Sequence, residues 1–248
     1  MAIKLVAFDL DGTLAPSKGS ISFEMSRALK DLLDYVPVVI ITGGSEAQIV
    51  NQVVKALPDD TNLKNLSLMP TSGATYLKYK FWTWRAVYSA ALKSHEVRRI
   101  EDAIRVSAEL LGYWPEKPYG KVIEDRGAQV TFSALGQKAP EHLKEAWDKG
   151  GFKRKMLKEA VSKLIPEYEV RSGGSTSIDV TRYGIDKGYA VRQLMEKNKL
   201  KPHEILFIGD RFDEDGNDYP VLKTDVKYQS VAGPMQTLKI IRDLLKSI

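Results

Sequence analysis

Short, largely apolar runs recur along the chain, and each stops abruptly at a turn-forming, small or acidic residue. Leu5-Val6-Ala7-Phe8, preceded by Ile3, stops at Asp9. Val38-Val39-Ile40-Ile41, preceded by Pro37, stops at Thr42-Gly43-Gly44-Ser45. Leu66-Ser67-Leu68-Met69 runs into Pro70-Thr71-Ser72-Gly73-Ala74, and Ile205-Leu206-Phe207-Ile208 ends at Gly209-Asp210. Runs this short, apolar at odd and even positions alike, predict strands covered on both faces in a parallel sheet. Helical periodicity fills the gaps between them. Ser22 is a candidate N-cap for a stripe of Met25, Leu29, Leu32 and Leu33. Ile49, Val50, Val53 and Val54 give a second stripe, in a helix expected from Glu46 to about Leu57. Val191, Leu194 and Met195 follow Lys187-Gly188, and Leu238, Ile241, Leu244 and Leu245 follow Pro234. Asp225–Tyr228 reads as an edge strand. The sum is an α/β fold with a parallel sheet.

The texture changes near Phe81. Phe81, Trp82 and Trp84 form an aromatic cluster that suits a domain seam or a hairpin core. A helix is expected over Ser94–Leu111, with Val97, Ile100, Ile104 and Ala108 on one face and Gly112 at its end. Then come paired strand-like runs, Lys121–Glu124 with Gln129–Phe132 and Tyr168–Arg171 with Ser177–Val180, around a helix at Lys153–Leu164. Strands joined by short turns predict an antiparallel sheet with helices on one face. The expected division is therefore a discontinuous core, residues 1–80 and 186–248, with an α+β domain of residues 81–185 inserted into it.

Composition narrows the chemistry. The 248 residues include no cysteine, which excludes disulfides, thiolate metal sites and a cysteine nucleophile. No apolar run is long enough to span a bilayer and no basic-then-apolar leader is present, so a soluble cytoplasmic protein is the default expectation. The net charge of +5 is a mild excess that suits an anionic substrate and also allows weak nucleic-acid binding. The densest basic stretch, Lys153, Arg154, Lys155, Lys158 and Lys163, alternates with Met156, Leu157, Val161 and Leu164, as a solvated helix face does.

The candidate chemistry sits where the apolar runs end, the usual ligand position in open α/β sheets. Asp9 and Asp11 lie two apart, followed by Gly12 and Thr13. Carboxylates crowded at a strand end repel each other unless a cation lies between them, and oxygen donors suit a hard divalent ion such as Mg²⁺. A second acidic strand end, Gly209-Asp210, continues to Gly216-Asn217-Asp218, and two such ends in one sheet can converge on one metal. Thr42-Gly43-Gly44-Ser45, with small residues and free N–H groups before a helix, forms an anion-binding corner, in which Thr42 and Ser45 remain alternatives for the binding hydroxyl.

The DxDGT block of Asp9–Thr13 resembles the signature of the haloacid dehalogenase (HAD) superfamily of phosphotransferases. The other motifs stand in that superfamily's order: Thr42–Ser45, Lys187, then Gly209-Asp210 with Asn217-Asp218. The resemblance implies a HAD-like Rossmannoid core with an inserted α+β cap of the type called C2b. It implies Asp9 as nucleophile, Asp11 as general acid/base and Lys187 as fixed positive charge. It also implies Mg²⁺ held through Asp9, Asp11, Asp210, Asn217 and Asp218. Over nearly its whole length the chain is most similar to the eukaryotic-type phosphomannomutases. Ile21–Met25, Gly43-Gly44-Ser45, Ile123-Glu124-Asp125-Arg126, and Gly173-Gly174 through Ser177-Ile178-Asp179-Val180 all fit their pattern. That likeness implies a phosphorylated sugar bound by Thr42, Gly43, Gly44, Ser45, Lys18, Arg126, Lys144, Ser177 and Asp179, and a homodimer through the cap. The chain departs from the pattern at three cationic positions. Gln137 stands where the family has a second cap Arg, Lys144 lies near the place of a third, and Lys18 replaces an Arg after the first motif. Only Arg offers a planar fork of donors to phosphate, and Gln offers no charge. A mutase must grip the distal phosphate in two orientations, so a weakened grip favours a sugar-phosphate phosphatase, with phosphomannomutase as the alternative. A non-catalytic anion or nucleic-acid binder is the remote alternative, against which the intact Asp9 and Asp11 argue.

Overall fold

A computed structural model describes residues 3–214 and 216–247. Asp215, inside the acidic run after Asp210, and the terminal residues assigned to the core by sequence lie outside the described residues. The chain divides into two compact units. One runs to Ser89 and resumes at Ile185, and the other is the intervening segment Ala90–Gly184.

The first unit is built on a seven-stranded sheet. Its strands are β1 (Leu5–Phe8), β2 (Val38–Ile41), β3 (Leu66–Met69), β4 (Thr75–Lys80), β5 (Thr83–Ser89), β10 (Ile205–Gly209) and β11 (Lys227–Ser230), in the order β11-β10-β1-β2-β3-β4-β5. The pairings from β11 to β3 are parallel, and β4 and β5 add an antiparallel hairpin at the edge. Both faces are covered at β10, β1, β2 and β3, which is why those strands are so largely apolar, while β11 at the edge is exposed. Val6 and Phe8 point to one face. They join a core with Leu29 and Leu32 of α1 (Phe23–Tyr35), Ile49 of α2 (Glu46–Gln52), and Leu238 and Ile241 of α7 (Pro234–Ser247). Leu5 and Ala7 point to the other, against Ala190, Val191 and Leu194 of α6 (Lys187–Asn198). This is the α/β/α layering of a Rossmannoid core.

Two expectations change here. Helix α2 stops at Gln52, and a separate 3₁₀ turn covers Val54–Ala56, because Val53 leaves helical geometry. The aromatic cluster near Phe81 is the tip of the β4–β5 hairpin, so the core sheet continues through it to Ser89. Phe81 and Trp82 occupy the turn with positive φ, and Trp82 is 90% exposed.

The inserted unit is a four-stranded antiparallel sheet, ordered β6-β7-β9-β8, of β6 (Ile123–Asp125), β7 (Gln129–Ser133), β8 (Tyr168–Ser172) and β9 (Ser177–Arg182). Its side chains alternate. Val130, Phe132, Val170, Ile178 and Val180 pack with Ile100 and Ile104 of α3 (Ser94–Leu110) and Leu157 and Val161 of α5 (Phe152–Leu164). The opposite face is polar. Cross-strand register places Glu124 beside Thr131, Thr131 beside Asp179, and Asp179 beside Arg171. A short helix, α4 (Glu141–Trp147), precedes α5. Among the described residues no helix is long and apolar enough to cross a membrane.

Candidate active site

Parallel register explains how two acidic segments some two hundred residues apart in sequence meet. Phe8 of β1 lies level with Ile208 of β10, and the Asp9 amide donates to the Ile208 carbonyl at 2.9 Å. The strands therefore end side by side, with Asp9 next to Gly209 and Asp210 one residue beyond. Asp218 folds back from the following loop. Its carboxylate accepts from the backbone N–H groups of Asp210 (3.1 Å) and Arg211 (3.0 Å). Carboxylate oxygens of Asp9, Asp210 and Asp218 lie within 4.8 Å of one another. Glycine makes this approach possible. A Cβ on Gly12 (φ +80°) would meet Asp210 Oδ2 at 2.4 Å, and a Cβ on Gly209 would meet Asp218 Oδ2 at the same distance.

Lys187 enters from the first residue of α6. That helix start comes close to the 218–220 segment, where a Cβ on Gly188 would lie 2.6 Å from the Pro220 carbonyl oxygen. Lys187 Nζ sits 2.6 Å from both Asp9 Oδ1 and Asp218 Oδ1, and all three residues are buried. Burial alone would lower the Lys187 ammonium, but the Asp9 and Asp218 carboxylates outweigh it and hold it above its ordinary value. Asp9 is pushed up to about 8. Burial is the main cause, the Asp218 charge adds to it, and Lys187 offsets part of it.

The residues present fit a divalent cation. Three carboxylates gather around one ammonium, an excess of two negative charges when all are ionised at a strand end where Asp9 and Asp218 are buried. All the donors are oxygens, as a hard cation requires. Asp210 is steadied by the Thr13 hydroxyl, which donates to its Oδ1 at 3.3 Å.

Asp11 behaves differently from Asp9. Its side chain lies outside the carboxylate group and is held by α2. Gln48 Nε2 donates to Oδ2 at 2.9 Å, Gln52 Nε2 to Oδ1 at 3.3 Å, and the Lys18 amide to Oδ1 at 2.7 Å. The Lys18 side chain itself is exposed. Asn217 is exposed and makes no hydrogen bond to the carboxylate cluster. Gln48 and Gln52 were not expected here, although their spacing of four after the Ser45 N-cap puts both on one helix face.

Thr42 and Ser45 separate by what their hydroxyls do. Ser45 caps α2, accepting from the Gln48 amide at 3.3 Å. Thr42 is buried at the end of β2, and its Oγ1 accepts from the Gly44 amide at 3.1 Å. The loop after β3 backs this corner: the Thr71 amide donates to the Gly44 carbonyl and the Ser72 amide to the Thr42 carbonyl, each at 2.8 Å.

On the polar face of the inserted unit, Arg126 makes a two-pronged contact with Glu124, at 2.8 Å through Nε and 2.7 Å through its terminal nitrogen. Asp179 accepts from the Thr131 hydroxyl at 2.7 Å. Burial raises its carboxyl above the ordinary range, although Thr131, Arg126 and Arg171 counteract it. Ser177 lies two residues earlier on the same strand. Lys144 is buried in α4, its Nζ donating to the Gln137 backbone carbonyl at 3.3 Å, while the Gln137 side-chain Nε2 is buried without a hydrogen-bond partner among the described residues. Thr131 and Arg171 were not singled out from sequence. The alternation of β7 and β8 carries the signal, since both share the Asp179 face.

A family model described as eukaryotic phosphomannomutase matches residues 85–247. The phosphomannomutase of Spinacia oleracea is 26% identical over 243 residues, covering 95% of this chain and 93% of that one. That of Saccharomyces cerevisiae is 27% identical over 253 residues, covering 97% and 93%. Among solved structures, the C-terminal domain of C. albicans trehalose-6-phosphate phosphatase aligns with a TM-score of 0.67 and 17% identity, over 98% of this chain and 92% of that one. N-terminally truncated, IMP-bound Plasmodium falciparum IMP-nucleotidase aligns with a TM-score of 0.68 and 16% identity, over 100% and 69%. At such identities these structures speak for the shared fold alone.

Proposed function

Because the chain belongs to the eukaryotic phosphomannomutase family, we propose that it is a Mg²⁺-dependent HAD-type phosphotransferase acting on a hexose phosphate, with water as the acceptor. The observation that carries the reading is the buried set of Asp9, Lys187 and Asp218 with Asp210, at two adjoining parallel strand ends.

Phosphate monoesters are so inert that a catalyst must supply both a positioned nucleophile and strong charge compensation. An Asp9 oxygen attacks phosphorus as the bond to the sugar oxygen breaks, leaving an aspartyl phosphate. Asp11 gives its proton to the departing oxygen. It then takes a proton from water, whose oxygen attacks phosphorus and frees Asp9 and inorganic phosphate. Lys187 balances charge on Asp9 throughout. Asp9, Asp210 and Asp218 would hold Mg²⁺, which supplies Lewis-acid neutralisation of the phosphoryl oxygens when bound. The Thr42 hydroxyl, which accepts from the Gly44 amide and keeps its own proton to donate, binds the transferring phosphoryl group at the 42–45 corner, with Ser45 left to its capping role. Arg126, Ser177 and Asp179 form the sugar-phosphate face of the inserted unit. Exposed Lys18 adds positive charge for the anionic substrate.

Water is preferred as acceptor because of Gln137 and Lys144. Gln137 brings no charge, and the Lys144 ammonium is turned to a backbone carbonyl. The second reading, phosphomannomutase, is favoured by the Spinacia oleracea and Saccharomyces cerevisiae phosphomannomutases, which align over 93% of their own length. Incubation with mannose 1-phosphate or glucose 1-phosphate, with and without a sugar bisphosphate, separates the two. Free phosphate is expected in every arm. Conversion to the 6-phosphate that depends on bisphosphate, without free phosphate, would make the protein a mutase.

A further inference from the structure

The loop after β3 carries a conformational cost that the fold alone does not require. Thr71 (φ 48°), Ser72 (φ 55°) and Gly73 (φ 86°) lie in the left-handed region in succession, and only the last is glycine. Gly73 cannot be otherwise, since a Cβ there would sit 2.3 Å from the Ala190 Cβ of α6. What the strained loop delivers is backbone. Its Thr71 and Ser72 amides bind the Gly44 and Thr42 carbonyls, which fixes the corner assigned above to the phosphoryl group. Strain persists only where surrounding contacts over-determine it, so something must hold the loop.

The group that holds it is on β5. The Tyr88 hydroxyl donates to the Gly73 carbonyl at 2.7 Å, across fifteen residues of chain. A register shift in the β4–β5 pairing at Tyr76/Leu77 places Tyr88 opposite Tyr76 and leaves Val87 as the extra residue. The ring is then packed edge-on by Tyr76 at 6.0 Å and by Tyr189 of α6 at 6.3 Å. Burial and these two neighbouring phenols push its ionisation upward, so it remains a donor. We infer that Tyr88 is a positioning residue for phosphoryl transfer: its hydroxyl clamps the strained 71–73 loop, and the loop in turn holds Thr42 and Gly44 in their phosphoryl-binding geometry. The inference rests on the function proposed above.

Tyr88→Phe removes the hydroxyl and keeps the packed ring. The probes are p-nitrophenyl phosphate, a monoester with no sugar, and orthovanadate, which mimics the transferring phosphoryl group. The variant should lose roughly 5-fold in kcat/KM and weaken vanadate inhibition by a similar factor, as loss of one neutral hydrogen bond would. The Gly44 and Ser72 amide resonances of the metal-loaded protein should shift. Ser89→Ala, which breaks the neighbouring Thr75–Ser89 hydroxyl contact at 3.0 Å, should change none of these. Wild-type vanadate inhibition in folded Tyr88→Phe, or equal losses in both variants, would overturn the inference. Failure of the wild-type protein itself to turn over any monoester would instead count against the proposed function.

Discussion

Replacing Lys187 by Met tests the electrostatics of the site most severely. The ammonium lies between two buried carboxylates at 2.6 Å from each, with no exposed side-chain surface. Met fills most of the volume but leaves Asp9 and Asp218 facing each other without a cation. Breaking a buried pair by removing one partner costs about 3–5 kcal/mol, because a buried charge is left uncompensated. For a chain of this size each kcal/mol moves the melting midpoint by about 2–4 °C, so chelated Lys187→Met should melt about 6–20 °C lower. Mg²⁺ at the same carboxylates should restore part of the loss, and more of it than Mg²⁺ adds to the wild type. Adding Asp218→Asn should be strongly non-additive, recovering about 0.5–3 kcal/mol because the repulsion is gone. Calorimetric or circular-dichroism melts of the four proteins, with chelator and with Mg²⁺, supply the numbers. Unchanged melting of chelated Lys187→Met, or purely additive effects in the cycle, would refute the reasoning that this lysine balances the two carboxylates.

Three further outcomes follow from the geometry. Asp210→Ala should lower Mg²⁺ affinity measured by calorimetry, since few carboxylates are available as ligands; unchanged affinity would move the metal elsewhere. Arg126→Ala should raise KM for a hexose phosphate while hardly altering turnover of p-nitrophenyl phosphate, and an equal effect on both would remove Arg126 from the sugar face. Asp148 is buried. Burial alone would raise its carboxyl, but Arg154 at 2.9 Å and the Lys153 and Arg154 amides at the start of α5 outweigh it and hold it below its ordinary value. The folded form thus favours the carboxylate, a contribution present above the unfolded pKa and lost as pH falls through the lower folded one. Asp148→Asn should therefore cost about 1.5–3 kcal/mol at neutral pH and progressively less in acid; a pH-independent cost would contradict this.

What could be read from sequence was whatever follows from local pattern. The β1, β2 and β10 runs are apolar at every position because both sheet faces are covered, and each announces its own end with Asp9, Thr42 or Gly209-Asp210. The β4–β5 hairpin was not legible as part of the core. Its turn uses Phe81 and Trp82 at positive φ in place of the Asn-Gly or Asp-Gly that signals such turns, and its exposed edge strand lacks the apolar run of its neighbours. The acidic strand ends suggested convergence, but the contact of Lys187 with both Asp9 and Asp218 depends on parallel register and on α6 approaching the 218–220 segment. Neither leaves a local trace. The contact of Gln48 and Gln52 with Asp11 is not legible for another reason: helix spacing reveals a shared face, not what that face meets.

The central claim is that Asp9 carries the phosphoryl group. The protein with Mg²⁺ and a hexose phosphate, quenched in acid during turnover and digested, should yield the peptide containing Asp9 heavier by one phosphoryl group, in a form that hydroxylamine removes. Folded Asp9→Asn should show neither the modified peptide nor turnover above background. Wild-type-like turnover in that variant, or the modification found on a peptide without Asp9, would contradict the account.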